Sequence, residues 1–370
     1  MLNKGGLHTR ATFALVLIGW TIGIALLFAV RYLGTGEFPV FVTRGIQLVP
    51  VSLFLSGSVA LLHFGAILIS DSKSFRRRSY GFFILFQLAF VIVTYLLSMF
   101  LVGMAGVLTG SFGPAEVLPI MAEHIVSWRG FASTAYVFVW ATLISFIRQM
   151  MVKVGPAVLL DLLLGRYHSP RVEQRIFLFV DLQSSTTIAA RLGHETYARF
   201  IQDCFFDFTD SIIKHDVEVY QYIGDEAVLT WKVKDGLRNA NCVRAYFTFI
   251  HKLRALAPAY EQRYGQAPFF KAGLNVGPVT VSEIGVVKRE IAYLSEVLHT
   301  AARIQGKCND LRQGILLSAA MKSLLEDSPG LGFLSVGKLE LRGKADAEEL
   351  FAVSLDGEFI TYPPEAVDRP

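Results

Sequence analysis

The sequence predicts an α+β protein in two parts: a four-helix transmembrane bundle followed by a ferredoxin-like domain. Three observations carry that reading. Of the 370 residues, 53% are apolar and 18% charged, with a mean hydropathy of +0.45, whereas soluble domains run at about 45–50% and about 25%. The surplus is uneven, because residues 1–150 hold 10 Lys/Arg and 4 Asp/Glu and residues 151–370 the remaining 25 and 27. From residue 175 the apolar pattern alternates between strand and helix periods in the order β-α-β-β-α-β. Together these exclude a wholly soluble protein and a disordered chain. The second part has a net charge of −2 and so lacks the basic face that nucleic acid requires; no nucleic-acid partner is expected. Cys204, Cys242 and Cys308 all lie in it, in no metal-ligand spacing, and read as free thiols of a reducing compartment.

Residues 11–30 are uncharged and long enough for one bilayer crossing. They read as a span rather than a signal peptide: the run exceeds a usual apolar signal core, no small-residue cleavage site follows, and further spans come after. Residues 45–70 form a second uncharged run and 79–115 a third, apolar to about residue 108. The fourth, 130–147, is expected to extend back towards Pro119. The loop 71–79, DSKSFRRRS, carries Lys73, Arg76, Arg77 and Arg78, the strongest positive loop in the chain. Lys4 and Arg10 before the first span, and Arg148 and Lys153 after the fourth, lie on the same side. The other two loops are mixed, with Arg31, Glu37 and Arg44 in one and Glu116, Glu123 and Arg129 in the other. The positive-inside rule then places both ends of the bundle, and the second part of the chain, in the cytoplasm. A multi-pass membrane protein, with the lipid bilayer as a partner, is the expectation. His63 and His124 invite a haem reading, but they fall at opposite ends of their spans and read better as packed histidines.

A juxtamembrane helical linker is expected over 151–172, its stripe of Val158, Leu159, Leu162 and Leu163 suited to a two-chain contact. A globular domain is expected over 173–356, then a tail over 357–370. RIFLFVDL is a buried strand with Ser184, Ser185 and Thr186 at a helix start. A helix is expected over 195–214, a hairpin from 218–222 and 226–233 with its tip at Ile223-Gly224-Asp225, a helix over 235–264, strands at 269–274 and 279–283, and a helix over 297–304. Helices are expected on one face of the sheet.

Chemistry concentrates at two strand ends. Asp181 ends the first strand and Asp225 sits on the hairpin tip, so neighbouring antiparallel strands bring the two carboxylates to one end of the sheet. Two hard oxygen ligands open to solvent suit Mg²⁺, which completes its shell with water and phosphate. A metal pair clamps the attacking and leaving oxygens of a phosphoryl-type displacement. Backbone N–H groups around Gln183, Ser184, Ser185 and Thr186 are placed to hold a triphosphate.

The segments FLFVDLQSST, YQYIGDEAVLTW, FKAGLNVGPVTVSEIG and VLHTAARIQG resemble, in order and spacing, the catalytic domain of the class III nucleotidyl cyclases. GRYHSPRVEQRIFLFVDL is similar to the start of that domain in bacterial membrane-anchored adenylate cyclases. The resemblance spans about residues 164–355. It implies conversion of ATP to 3′,5′-cyclic AMP and pyrophosphate, two Mg²⁺ or Mn²⁺ ions per site, and a homodimer whose chains share each site. It implies Asp181, Asp225 and the carbonyl of Leu182 as metal ligands, Arg303 as the cation on the pentacovalent phosphorus, and Arg342 with Lys344 on the phosphates. An arginine suits the phosphorus position because its fork is always charged.

This sequence departs from the family pattern at several positions. His299 stands where the family has the substrate-orienting asparagine, Ser295-Glu296 where it has Gly-Asp, and Gln221 and Ala292 where typical adenylate cyclases have the base-selecting lysine and its partner. The guanylate-selecting pair is absent too, so the base rests on family likeness, with GTP as the alternative substrate. A degenerate, regulatory cyclase-like protein is the other alternative, motivated by His299, Ser295 and Glu296. A diguanylate cyclase shares the core but does not explain TAAR.

Overall fold

The computed structural model describes residues 5–35, 48–70, 80–108, 110, 113–154, 169–287, 289–340 and 347–362, and divides into two compact units, essentially residues 6–154 and 155–370. The linker stripe at Val158 to Leu163, and Arg342 with Lys344, lie outside the described residues.

The first unit contains α1 (Gly5–Thr35), α2 (Leu48–Ser70), α3 (Tyr80–Leu108), α4 (Val117–Val126) and α5 (Trp128–Val154). Four of these are long and apolar enough to cross a membrane, over Thr12–Leu33, Ser52–Ser70, Ala89–Leu108 and Gly130–Met151. Apolar side chains such as Ile18, Ile22, Leu61, Val93 and Val139 point outward, as helices apolar on all sides must do when their solvent is lipid. Helices α1 and α5 run antiparallel, with Tyr136 Oη donating to the Gly23 carbonyl at 2.8 Å and Trp140 Nε1 to that of Gly19 at 2.8 Å. A Cβ on Gly23 would lie 2.1 Å from Trp140 Nε1, so the absent side chain is what admits the indole. The expected backward extension of the fourth span is interrupted. Ser127 takes an extended conformation (ψ 153°) between α4 and α5, and its Oγ accepts from the Gly130 N–H at 3.0 Å, which caps the new helix. His63 accepts from Trp20 Nε1 at 3.0 Å and meets Ser145 Oγ at 3.1 Å, while His124 meets Tyr95 Oη at 3.1 Å. Both are packed histidines with separate partners.

The second unit carries a mixed sheet of nine strands among the described residues. They are β1 (Arg171–Leu182), β2 (Glu218–Ile223), β3 (Glu226–Lys232), β4 (Phe270–Ile284), β5 (Glu290–Leu294), β6 (Ile315–Ser318), β7 (Leu331–Leu339), β8 (Glu348–Leu355) and β9 (Glu358–Phe359). Their order is β2-β3-β1-β4-β6-β8-β7, with β5 on β4 and β9 on β8. The first four strands, read 4-1-3-2 with β1 antiparallel to both β3 and β4, are the ferredoxin-like core. The helices are α6 (Ser185–Leu192), α7 (His194–Lys214), α8 (Val233–Leu237), α9 (Asn241–Tyr264), α10 (Glu296–Leu311) and α11 (Ala319–Leu325).

Period 2 in β1 explains the layers. Ile176, Leu178, Val180 and Leu182 join the main core with Phe200 and Phe208 of α7 and Tyr246 and Phe249 of α9. Phe177 and Phe179 face the other way, into a second cluster with Val281, Tyr293 and Ala301 of α10. Helices therefore cover both sheet faces rather than one, because β1 is apolar on both. The helix expected over 235–264 is broken, with Asn239 and Ala240 left-handed (φ 52° and 51°) between α8 and α9. The two strands expected at 269–274 and 279–283 are one, β4. Pro278 interrupts the sequence pattern, yet it pairs in register only with Gln174 of β1, in the gap between the stretches that pair with β6 and β5. A missing N–H is tolerated where one edge of a strand is unpaired.

Candidate active site

The odd-numbered face of β1 ends at Asp181, whose cross-strand neighbours are Glu226 of β3 and Lys271 of β4. These three side chains form a charged row across three strands. Two carboxylates directly opposite each other repel, and the Lys271 ammonium, 3.4 Å from Asp181 Oδ2, supplies the counter-charge. Gln305 Nε2 donates to the same oxygen at 3.1 Å. Asp225 enters from the two-residue turn between β2 and β3, where Gly224 adopts φ +63°. Its Oδ2 is buried and has no hydrogen-bond partner.

The electrostatics follow from that crowding. Burial pushes the Asp181 carboxyl above its usual range, Lys271 opposes the shift, and the nearby Asp225 adds to it. Burial, with the charges of Asp181 and Asp225, pushes Glu226 up to about 7. A site that penalises its own carboxylates and leaves one buried oxygen unpartnered fits a divalent cation, which would reverse both penalties. Asp181 and Asp225 would hold it, with the Leu182 carbonyl at the end of the same strand. Mg²⁺ and Mn²⁺ draw the rest of their shell from water and phosphate.

Helix α10 is brought onto the sheet at Gly273. A Cβ there would lie 2.3 Å from the Gln305 backbone nitrogen and 2.4 Å from the Ala301 oxygen, so only glycine permits the contact. Thr300, Ala301, Ile304, Gln305 and Cys308 form the buried stripe. Arg303 is two residues from Gln305, about 200° around the helix axis, and shares the opposite flank with His299, one turn away. Its Nη1 is buried without a partner, whereas His299 is exposed. One helix thus carries Gln305 to Asp181 and places Arg303 about 200° around its axis from that contact.

The structure also explains one departure from the family pattern. Ser295 is the N-cap of α10, its Oγ accepting from the Val297 N–H at 3.1 Å and donating to the Pro278 carbonyl at 2.8 Å. A serine in place of the family glycine therefore starts the helix by another device. Gln221 is exposed on the edge strand β2 and Ala292 is buried in β5. Their sequence neighbours Tyr220 and Tyr293 are in ring contact, with centroids 4.9 Å apart. Ser184 takes a left-handed conformation (φ 56°) and no side chain caps α6, so the backbone N–H groups of Ser185 and Thr186 at the helix start stay available, whereas that of Gln183 donates to the Phe269 carbonyl at 2.9 Å.

Residues 168–357 match the family model described as the adenylate and guanylate cyclase catalytic domain. The chain belongs to this family. Adenylate cyclase 2 of Rhizobium meliloti (strain 1021) is 32% identical over 223 residues, 60% of this chain and 61% of that protein. Adenylate cyclase 1 of the same organism is 23% identical over 181 residues, 48% of this chain and 27% of that protein. The chain therefore spans about three fifths of the one relative and a quarter of the other. A solved bacterial light-regulated adenylyl cyclase shares the fold, with a TM-score of 0.50, 17% identity and 66% of each chain covered.

Lys271, Gln305 and Glu226 of the cyclase domain are functional candidates that motif reading missed. A lysine between buried residues of a strand, as in FKAGLN, was the available signal, since a buried ammonium requires an anion. Lys271→Ala is expected to lower metal-free stability by roughly 1–3 kcal/mol, because three crowded carboxylates lose their cation. Added Mn²⁺ should then raise the melting temperature of the variant more than that of the wild type. An equal Mn²⁺ shift in both would overturn the pairing.

Proposed function

We propose that the protein is a membrane-anchored adenylate cyclase that converts ATP to 3′,5′-cyclic AMP and pyrophosphate at sites shared by two chains. The observation that carries this reading is the disposition of Asp181, Asp225 and Arg303. The two carboxylates meet at one end of the sheet, one with a buried unpartnered oxygen, while the arginine, about 200° around α10 from the Gln305 that bonds Asp181, carries an equally unpartnered Nη1. One chain then offers half of one site and half of another, and a homodimer completes both.

Within such a site each residue has a task. Asp181 and Asp225 hold the metal ions, and Lys271 and Gln305 keep Asp181 aimed at them. When bound, the two metals favour ionisation of the ribose 3′-hydroxyl and neutralise the departing pyrophosphate. Backbone N–H groups at Ser184 to Thr186 receive the triphosphate, together with Arg342 and Lys344. Arg303 from the second chain meets the charge that grows on the equatorial oxygens as the 3′-oxygen attacks the α-phosphorus. His299 occupies the substrate-orienting position and donates a hydrogen bond from its ring nitrogen. Gln221 presents an amide able to pair with adenine N1 and N6, beside Ala292. The four apolar helices anchor the chain in the inner membrane with the cyclase domain in the cytoplasm.

The test is product formation by the detergent-purified chain with Mn²⁺ and either ATP or GTP, beside His299→Asn. Cyclic AMP from ATP as the dominant product is the expected result. Dominant cyclic GMP would overturn the substrate and keep the chemistry. Silence in the wild type with activity in His299→Asn would make this a cyclase switched off at that position.

A further inference from the structure

The helical unit holds a half-open cavity of about 210 Å³. Contributions come from the later halves of α1 and α3, the early parts of α2 and α5, and the short helix α4. In an antiparallel bundle those stretches lie at the end remote from Val154, where the chain leaves the unit. The break at Ser127 is what lets α4 close that end, since a continuous fourth helix could not pack its first turns across the bundle.

The lining is chemically two-sided. Most of it is apolar, including Ile24, Val59, Met99 and Met121, and methionines adapt readily to an irregular guest. Arg31, Tyr95 and His124 line the same space. Tyr95 Oη and His124 Nε2 are 3.1 Å apart, so both polar tips converge on one point rather than scattering. A guanidinium beside an apolar chamber favours an anionic guest, because a charge in low dielectric is stabilised chiefly by its opposite.

We propose that this cavity is a binding site for a small amphiphilic carboxylate, its head group towards Arg31, Tyr95 and His124 and its apolar body among Ile24, Val59 and the two methionines. Volume sets the size. A cavity of about 150 Å³ holds benzene, so this one takes a ring with a short tail, or a single chain of roughly ten carbons. Convergent polar groups at one end of an apolar chamber are the usual anatomy of a small-molecule site. The inference does not depend on the cyclase reading, and its test reads binding rather than turnover.

The full chain is placed in phosphatidylcholine nanodiscs and titrated at pH 8 with radiolabelled decanoate, and separately with radiolabelled decanol, against empty nanodiscs. The wild type should bind about one decanoate per chain saturably and prefer it to decanol by about tenfold or more, as removal of a buried charge partner implies. Arg31→Gln should erase that preference while leaving decanol binding unchanged. Met99→Trp, which fills the chamber, should abolish saturable binding of both. Decanoate uptake equal to that of empty nanodiscs would overturn the site, as would wild-type binding in Met99→Trp. Unchanged preference in Arg31→Gln would overturn the head-group assignment. Should Met99→Trp not fold, the Arg31→Gln comparison decides alone.

Discussion

Alanine at Asp225 is expected to lower cyclic nucleotide formation by at least about 10³-fold, because the metal pair loses a ligand that no neighbour can replace. Lys271 and Gln305 are donors, and Glu226 sits on the strand beside Asp181 rather than on the turn. The effect on stability should have the opposite sign. Asp225 Oδ2 is buried without a partner, and its charge raises the pKa of both Asp181 and Glu226. Removing it from the metal-free protein relieves that repulsion, so the melting temperature in chelator should hold or rise. Mn²⁺, which should stabilise the wild type by mass action, should have little effect on the variant. Parallel loss of activity and of metal-free stability would mean that Asp225 is a structural residue and would sink the metal assignment.

Co-expression of Asp225→Ala and Arg303→Ala chains, each inactive alone, is expected to restore activity. A dimer of one chain of each kind places both lesions in one site and leaves the other intact. Random pairing of equal amounts makes about half of the dimers mixed, each with one of two sites whole, so recovery should approach about one quarter of wild-type activity. The physical basis is α10. Gln305 reaches its own chain's Asp181 at 3.1 Å, and Arg303, about 200° around the same helix, cannot aim at that carboxylate as well. No recovery in mixed dimers isolated with two different tags would overturn the shared site.

Much of this was legible in the residues. The apolar runs and the strand-turn-strand text around Gly224-Asp225 each depend on local patterns. The family motifs led to Asp181, Asp225, Arg303 and His299 without coordinates. Where the reading failed, distant contacts had overruled local signals. Pro278 looks like the end of a strand, yet β4 continues through it because the position pairs on one edge only. The fourth span looks continuous back towards Pro119, yet Ser127 breaks it and caps the next helix. Nothing local to Ser295 distinguishes a lost family glycine from the N-cap it proves to be.

What the sequence determined by itself was composition-scale and motif-scale: an apolar helical part, a cyclase-family part, and the candidate site residues carried by its motifs. These follow from periodicity and from chemistry carried within a few adjacent residues. Only the tertiary structure decided that Lys271 and Gln305 hold Asp181, that Gly273 lets α10 approach the sheet, and that five helix segments line a two-sided cavity. Those features join residues up to 124 positions apart, as in the Asp181–Gln305 hydrogen bond, and register across a folded sheet, unlike a motif, is set by packing that no local window contains.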